Sequence, residues 1–213
     1  MRPRRCTRGT GAPRRRGRPS GRRAGRRCSP AAADIRPRLD GERQVLGRAN
    51  RIVVSTLAEL TQLRFLYRAD ASKLNVIPPG VDTSHFYPID SAEAKEFIGL
   101  KPEDRMILFV GRIEPLKGVD TLIQAMSYLG DDLRNKKNPV HLAIVGGDIN
   151  VDPHEMTAEM KRLQKMSDDL CMGSTILFLG KRAQDTLPYY YSAAEVLVMP
   201  SLYVSFAMVA LEA

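Results

Sequence analysis

The sequence predicts an α/β fold built on a doubly wound parallel sheet. Three observations carry that expectation. Four short apolar runs recur between residues 106 and 199, without the polar alternation of a half-exposed strand. Helix-favouring stretches separate each run from the next. Each run is closed by Gly or Pro: Gly111, the pair Gly146 and Gly147, Gly180, and Pro200.

Taken in order, residues 51–56 (RIVVST) read as a short buried strand ending in polar residues. Thr56 or Ser55 then caps a helical stretch through Leu60, Leu63, Leu66 and Tyr67. Residues 73–77 (KLNVI) form a second short strand, stopped by Pro78, Pro79 and Gly80. A linker runs to Pro88, and a helix follows around residues 92–98. Residues 106–110 (MILFV) are apolar throughout, as a strand buried on both faces should be. Residues 117–129 place Val119, Leu122, Ile123, Met126 and Leu129 at helical spacing. Residues 141–145 (HLAIV) repeat the strand signal, and residues 153–170 read as a charged helix striped with Met and Leu. Residues 175–179 (TILFL) form the third strand of this series and residues 184–194 a helix. Residues 196–199 (VLVM) form the fourth strand, and a last helix covers residues 205–213.

Residues 1–40 stand apart. The chain has 213 residues, 33 of them Lys or Arg and 24 Asp or Glu, for a formal charge of +9. Fourteen Arg and two acids give residues 1–40 a charge of +12, leaving −3 for residues 41–213. The basic balance therefore does not make the whole chain a nucleic-acid binder. Before Ile35 there is no aromatic, Val, Leu or Ile, so residues 1–40 are expected to be a disordered, Arg-rich leader. It reads as a phosphate-gripping arm, a transit peptide, a solvated tail, or mistranslated GC-rich upstream sequence. No run approaches the ~20 apolar residues of a membrane span. Cys6, Cys28 and Cys171 offer no CxxC pair and no disulfide framework, and His85, His141 and His154 lack metal-ligand spacing. A reducing, cytoplasmic setting is expected.

Doubly wound sheets bind ligands beyond the carboxyl ends of their strands, where the strand order reverses. In the common order the first and fourth strands flank that crevice, which singles out the loops after Val110 and Met199. The first loop runs Gly111, Arg112, then Ile-Glu-Pro-Leu, then Lys117 and Gly118. Arg112 offers a planar fork of donors and Lys117 a compact ammonium, both near a helix amino end. Two cations and a helix amino terminus suit a diphosphate. The plainer alternative is that Arg112 would pair with Glu114 and Lys117 would be a surface helix residue. The second loop leads into Ser205, Phe206, Ala207 and Met208, whose N–H groups can face the same anion. Glu212 follows about two turns later, as an acceptor for a vicinal diol such as a ribose, or as a solvated helix residue.

Together, residues 50–56, 76–82, 110–118, 178–180 and 200–213 resemble the donor-binding half of a family 4 glycosyltransferase, also called group 1, with the GT-B fold. The nearest likeness is to sucrose-phosphate-synthase-like and glycosyl-inositol-phosphate-forming enzymes. The resemblance covers roughly residues 42–213. It implies a GT-B-type Rossmann-like sheet and retaining transfer of a hexosyl group from a nucleotide-diphosphate sugar, a UDP-sugar such as UDP-glucose. It implies no cofactor and no required metal. Gly111, Arg112 and Lys117 would hold the donor diphosphate and Glu212 the ribose. Ser205, Phe206, Ala207 and Met208 would contact the donor through their backbone, and Lys181 and Arg182 would line the base loop. Residues 41–88 would be the end of the amino-terminal GT-B domain plus linker, and residues 89–213 a partial donor domain.

Two positions depart from the family pattern of Glu, seven residues, Glu. Its first Glu falls on Val204, which cannot accept hydrogen bonds from the transferred sugar, and a Gly expected at 207 is Ala207. The catalytic loop belongs to the amino-terminal domain, and further strands are expected after Ala213. The chain thus reads as a fragment truncated at its carboxyl end, with weak or no turnover. The other readings are a nucleic-acid binder using its Arg-rich arm and a non-catalytic α/β module.

Overall fold

The computed structural model describes residues 35–129, 138–149, 151, 152 and 154–213. Of the leader expected to be disordered over residues 1–40, residues 1–34 lie outside the described residues, whereas residues 35–40 are helical, a correction to that expectation. The described chain divides into two units, with the boundary between Val76 and Ile77.

In the first unit, helix α1 (Ile35–Arg48) runs across the composition boundary at residue 40. Arg38 pairs with Glu42 one turn later, at 2.9 Å, and the Tyr67 hydroxyl donates to the same carboxylate at 2.5 Å. Strand β1 (Ile52–Val54) pairs in parallel with β2 (Leu74–Val76), joined by helix α2 (Leu57–Tyr67). Thr56 is the cap, its side chain accepting from the Glu59 N–H. Glu59 in turn accepts from the Ser55 N–H at 2.8 Å, so two otherwise unpaired donors at the helix start are satisfied. Ile52, Val54 and Leu74 are buried against Leu46, Leu60 and Leu63, a small core of its own.

The second unit contains helix α3 (Ser91–Phe97) and a four-stranded parallel sheet. Its strands are β3 (Arg105–Val110), β4 (Val140–Val145), β5 (Ile176–Gly180) and β6 (Val196–Leu197), in the order β5-β4-β3-β6. The predicted doubly wound sheet is present, with the first and fourth strands side by side. Helices α4 (Val119–Tyr128), α5 (Ala158–Asp169) and α6 (Leu187–Ala193) connect them, and α7 (Met208–Glu212) follows.

The sheet is buried on both faces because successive side chains of a strand point opposite ways. Phe109, Leu142 and Ile144 pack with Val119, Leu122, Ile123, Met126 and Leu163 on one face. Met106, Leu108, Ala143 and Val145 pack with Ala94, Tyr190 and Ala193 on the other. Burying each large apolar side chain contributes about 1.5–3 kcal/mol. This double coverage explains the unbroken apolar runs.

Several boundaries differ from expectation; the helix expected from residue 184, for one, starts at Leu187 because Gln184–Thr186 make a 3-10 turn. The helix expected from residue 117 starts at Val119, because Pro115–Lys117 make a 3-10 turn and Gly118 takes a left-handed conformation. Helix α5 starts at Ala158, where the Thr157 side chain caps it, and residue 153 lies outside the described residues. Strand β6 is shorter than the expected 196–199, although the Val198 N–H still donates to the Leu108 carbonyl at 2.8 Å. Ser205, Phe206 and Ala207 lie before α7, not within it, since Ala207 (φ −102°, ψ 82°) is the non-helical cap. Cys171 is disulfide-bonded, which the spacing of the cysteines did not predict.

Candidate functional site

Three glycines close β3, β4 and β5 and turn the chain at the carboxyl edge of the sheet. The Gly111 N–H donates to the Val145 carbonyl at 3.0 Å, and the Gly146 N–H donates to the Gly180 carbonyl at 2.8 Å. Gly146 lies so close to Gly111 that a Cβ there would stand 1.8 Å from the Gly111 carbonyl oxygen. No side chain fits such an approach. The edge of the sheet is thus a surface of closely spaced backbone, with the Gly111 and Gly146 N–H groups already paired to neighbouring strands.

The loop after β3 meets the loop after β6, as the strand order requires. The Leu202 N–H donates to the Leu116 carbonyl at 2.9 Å. Gly118, at φ +66°, lies against Pro200: a Cβ at 118 would stand 2.2 Å from the Pro200 carbonyl oxygen. Two segments that sequence reasoning could only pair through an assumed strand order are thereby joined by contact.

Arg112 is the exposed cation of the first loop. Its Nη1 lies 2.9 Å from Glu114 Oε1, the local pairing weighed above as the plainer reading. The guanidinium side chain is 79% exposed, and an exposed pair of this kind is worth about 0–1 kcal/mol. A doubly charged ligand can therefore displace Glu114 at small cost. Lys117 ends the 3-10 turn and is half-buried.

The loop after β5 presents Lys181 and Arg182. The Lys181 ammonium donates to Asp148 Oδ2 at 2.8 Å, and the Arg182 guanidinium sits 6.0 Å from the centre of the Tyr190 ring. A pocket opens here, lined by Gly147, Asp148, Ile149, Leu179, Gly180 and Lys181. Asp148 carried no signal in the sequence. Only the parallel pairing of β4 and β5 brings its loop beside Lys181.

Beyond β6, Val204 is 41% exposed. Ser205 is exposed, Phe206 and Ala207 are half-buried, and Met208 opens α7. Glu212, half-buried, accepts a 2.8 Å hydrogen bond from the Tyr191 hydroxyl on α6. It is therefore anchored, not a freely solvated helix residue. Tyr191 was also missed, because a Tyr-Tyr-Tyr run offers only core-forming aromatics to a reader of local pattern. Among the described residues no group of three or more His, Cys, Asp or Glu is placed to hold a metal. Nor is any described helix long and apolar enough to cross a membrane.

The carboxyl edge of this parallel sheet thus joins glycine-lined strand ends, two cations on the loop after β3 and an anchored carboxylate on α7. Residues 90–213 match the family model for glycosyl transferases group 1, and the chain belongs to that family. It is similar to D-inositol 3-phosphate glycosyltransferase of Acidothermus cellulolyticus, with 37% identity over 175 residues, 82% of this chain and 38% of that protein. A solved structure of sucrose-phosphate synthase from Thermosynechococcus elongatus superposes with a TM-score of 0.73 at 31% identity, covering 86% of this chain and 43% of the other. Anabaena HepE in complex with UDP and glucose shares the fold, with a TM-score of 0.68 at 20% identity over 85% of this chain and 47% of the other. The fold is thus of the GT-B glycosyltransferase type. The chain spans less than half the length of these relatives.

Proposed function

We propose that this chain is the donor-binding part of a retaining glycosyltransferase that takes a sugar from a nucleotide-diphosphate donor, a UDP-sugar, and passes it to an acceptor. The observation that carries the reading is the junction of the β3 and β6 loops through Leu116, Gly118, Pro200 and Leu202 at the carboxyl edge of the sheet. Gly111, Arg112 and Lys117 hold the diphosphate, and the charge that grows on it as the sugar departs is where the two cations act. Glu212 receives the ribose. Ser205, Phe206, Ala207 and Met208 offer backbone groups, and the Lys181 and Arg182 loop borders the base. That HepE was solved with UDP and glucose supports a UDP-type donor. Turnover by this chain is weak or absent, because Val204 removes a sugar contact. A cytoplasmic setting, where such donors are made, goes with this reading. Counting alkylatable thiols in protein extracted under trapping conditions tests that setting against the disulfide at Cys171.

Calorimetric titration of UDP and UDP-glucose into the full chain tests the donor site. Binding that weakens about ten- to a hundredfold in Arg112→Ala is expected, as for one lost charge-assisted hydrogen bond of ~1.5–3 kcal/mol. No binding, or binding indifferent to that substitution, overturns it. The +12 charge of residues 1–40 favours a second reading, nucleic-acid binding by that segment. It requires steeply salt-dependent binding that vanishes when residues 1–40 are deleted.

A further inference from the structure

Tyr191 is the side chain that links α6 to α7. Its hydroxyl donates to Glu212 Oε2, and its ring belongs to the cluster packed beneath the sheet with Met106, Leu108 and Val145. The Phe86 ring lies 6.1 Å from it at a tilt, and His85 meets Phe86 edge-on at 4.9 Å. The segment carrying Phe86 is itself fastened to α6, since the Ile89 N–H donates to Ser192 Oγ at 3.1 Å. Burial first, and the Glu212 hydrogen bond second, push the Tyr191 phenol well above its ordinary value. At neutral pH it is a hydrogen-bond donor to the carboxylate.

A glutamate side chain has three rotatable bonds, and α7 is only five residues long. A carboxylate left to itself on such a short helix samples many orientations, and ordering it when ligand arrives weakens binding. Tyr191 removes that freedom beforehand from a different element, one whose own ring is packed on several sides. A carboxylate accepts up to about four hydrogen bonds, so the phenol leaves capacity for a diol.

We propose that Tyr191 is a positioning residue for Glu212, holding one carboxylate oxygen so that the group meets the vicinal diol of the donor ribose in one orientation. This rests on the donor-site reading above, and the test separates the two. Affinities of the full chain for UDP and for 2′,3′-dideoxy-UDP are measured by calorimetry. The unaltered chain is expected to prefer UDP by tenfold or more, and Glu212→Gln to abolish the preference. Tyr191→Phe keeps the ring and is expected to reduce the preference about three- to tenfold while binding of the dideoxy compound stays unchanged. A Tyr191→Phe chain that melts at lower temperature with the full preference intact makes the contact merely structural and overturns the proposal, leaving the ribose assignment standing. Should Tyr191→Phe not fold, Glu212→Asp draws the carboxylate back from the phenol by one methylene. The same loss is expected from it, and a full preference overturns the proposal. A chain that binds neither compound, or whose Glu212→Gln variant keeps the preference, overturns the ribose reading and the positioning role with it.

Discussion

Gly118 and Pro200 touch backbone to backbone, at a distance that leaves no room for a β-carbon: one at position 118 would lie 2.2 Å from the Pro200 carbonyl oxygen. The contact is the seam between the β3 and β6 loops, and the neighbouring hydrogen bond from Leu202 to Leu116 reinforces it. It ties the segment carrying Arg112 and Lys117 to the segment leading to Glu212.

Replacing Gly118 by Ala is accordingly expected to open that seam. The residue must leave a left-handed backbone conformation, which costs an L side chain about 1–2 kcal/mol, and also relieve a clash with backbone. A loss of roughly 2–4 kcal/mol in urea unfolding is expected, with UDP affinity falling further than in a surface Gly99→Ala control. Gly99 is also left-handed but has no atom within 4 Å of its would-be Cβ, so the control isolates the contact from the strain.

Glu114 competes with a ligand for Arg112. Glu114→Gln removes the competing charge while leaving the backbone of the 3-10 turn in place, so UDP affinity is expected to rise about two- to fivefold, the size of an exposed ion pair of ~0.5–1 kcal/mol. Calorimetry at two ionic strengths checks it. The gain should shrink as salt screens the pair, and an affinity that falls instead would show Glu114 to be part of the binding surface.

Val204 stands where the family pattern has an acidic residue. Val204→Glu is expected to improve UDP-glucose binding relative to UDP by up to about a hundredfold, corresponding to ~1–3 kcal/mol for a restored polar contact. The ratio of the two dissociation constants is the readout. An unchanged ratio would place the transferred sugar elsewhere.

Acid is expected to lower stability through two carboxylates that accept hydrogen bonds in turns. The Ser84 hydroxyl and N–H, 2.6 and 2.9 Å from Asp82 Oδ1, hold the Asp82 carboxyl below its ordinary value. The Ser72 N–H and hydroxyl do the same for Asp70. A carboxyl whose folded pKa is depressed contributes stability above its unfolded value, near pH 4, and that contribution disappears as pH falls through the folded value. Stability is therefore expected to decline below about pH 4, and less steeply in Asp82→Asn and Asp70→Asn, as followed by circular dichroism across the acid range.

Much of the backbone frame around the candidate site is legible in the sequence. Gly111, Gly146, Gly147 and Gly180 punctuate apolar runs, and glycine at a strand end announces a turn that other residues resist. Arg112 and Lys117 stand out as candidates because they sit in the loop that a doubly wound sheet exposes. Other features were not legible. Tyr191 lies 21 residues before Glu212, and nothing in a run of three tyrosines distinguishes the one whose hydroxyl faces a carboxylate from the one packed in the core. The start of α7 was misplaced because Ser205 and Phe206 are acceptable to a helix, while the loop they belong to is set by Pro200 and its contact with Gly118.

By itself, then, the sequence determined the alternation of elements, the apolar faces that must be covered and the family to which the chain belongs. Those properties are carried by residues close in the chain, through strand and helix periodicity and backbone-permissive glycines. Only the tertiary structure decided that Lys181 rests on Asp148, that Gly118 touches Pro200 and that Tyr191 donates to Glu212, and between the two readings of Arg112 it shows the pair with Glu114. Side-chain partners such as these are selected by strand order, register and available rotamers, and all but the Arg112 pair join different loops or helices of the sheet's edge. Local preference does not specify that choice, because each of these residues is equally at home on a solvated surface until the fold brings its partner within reach.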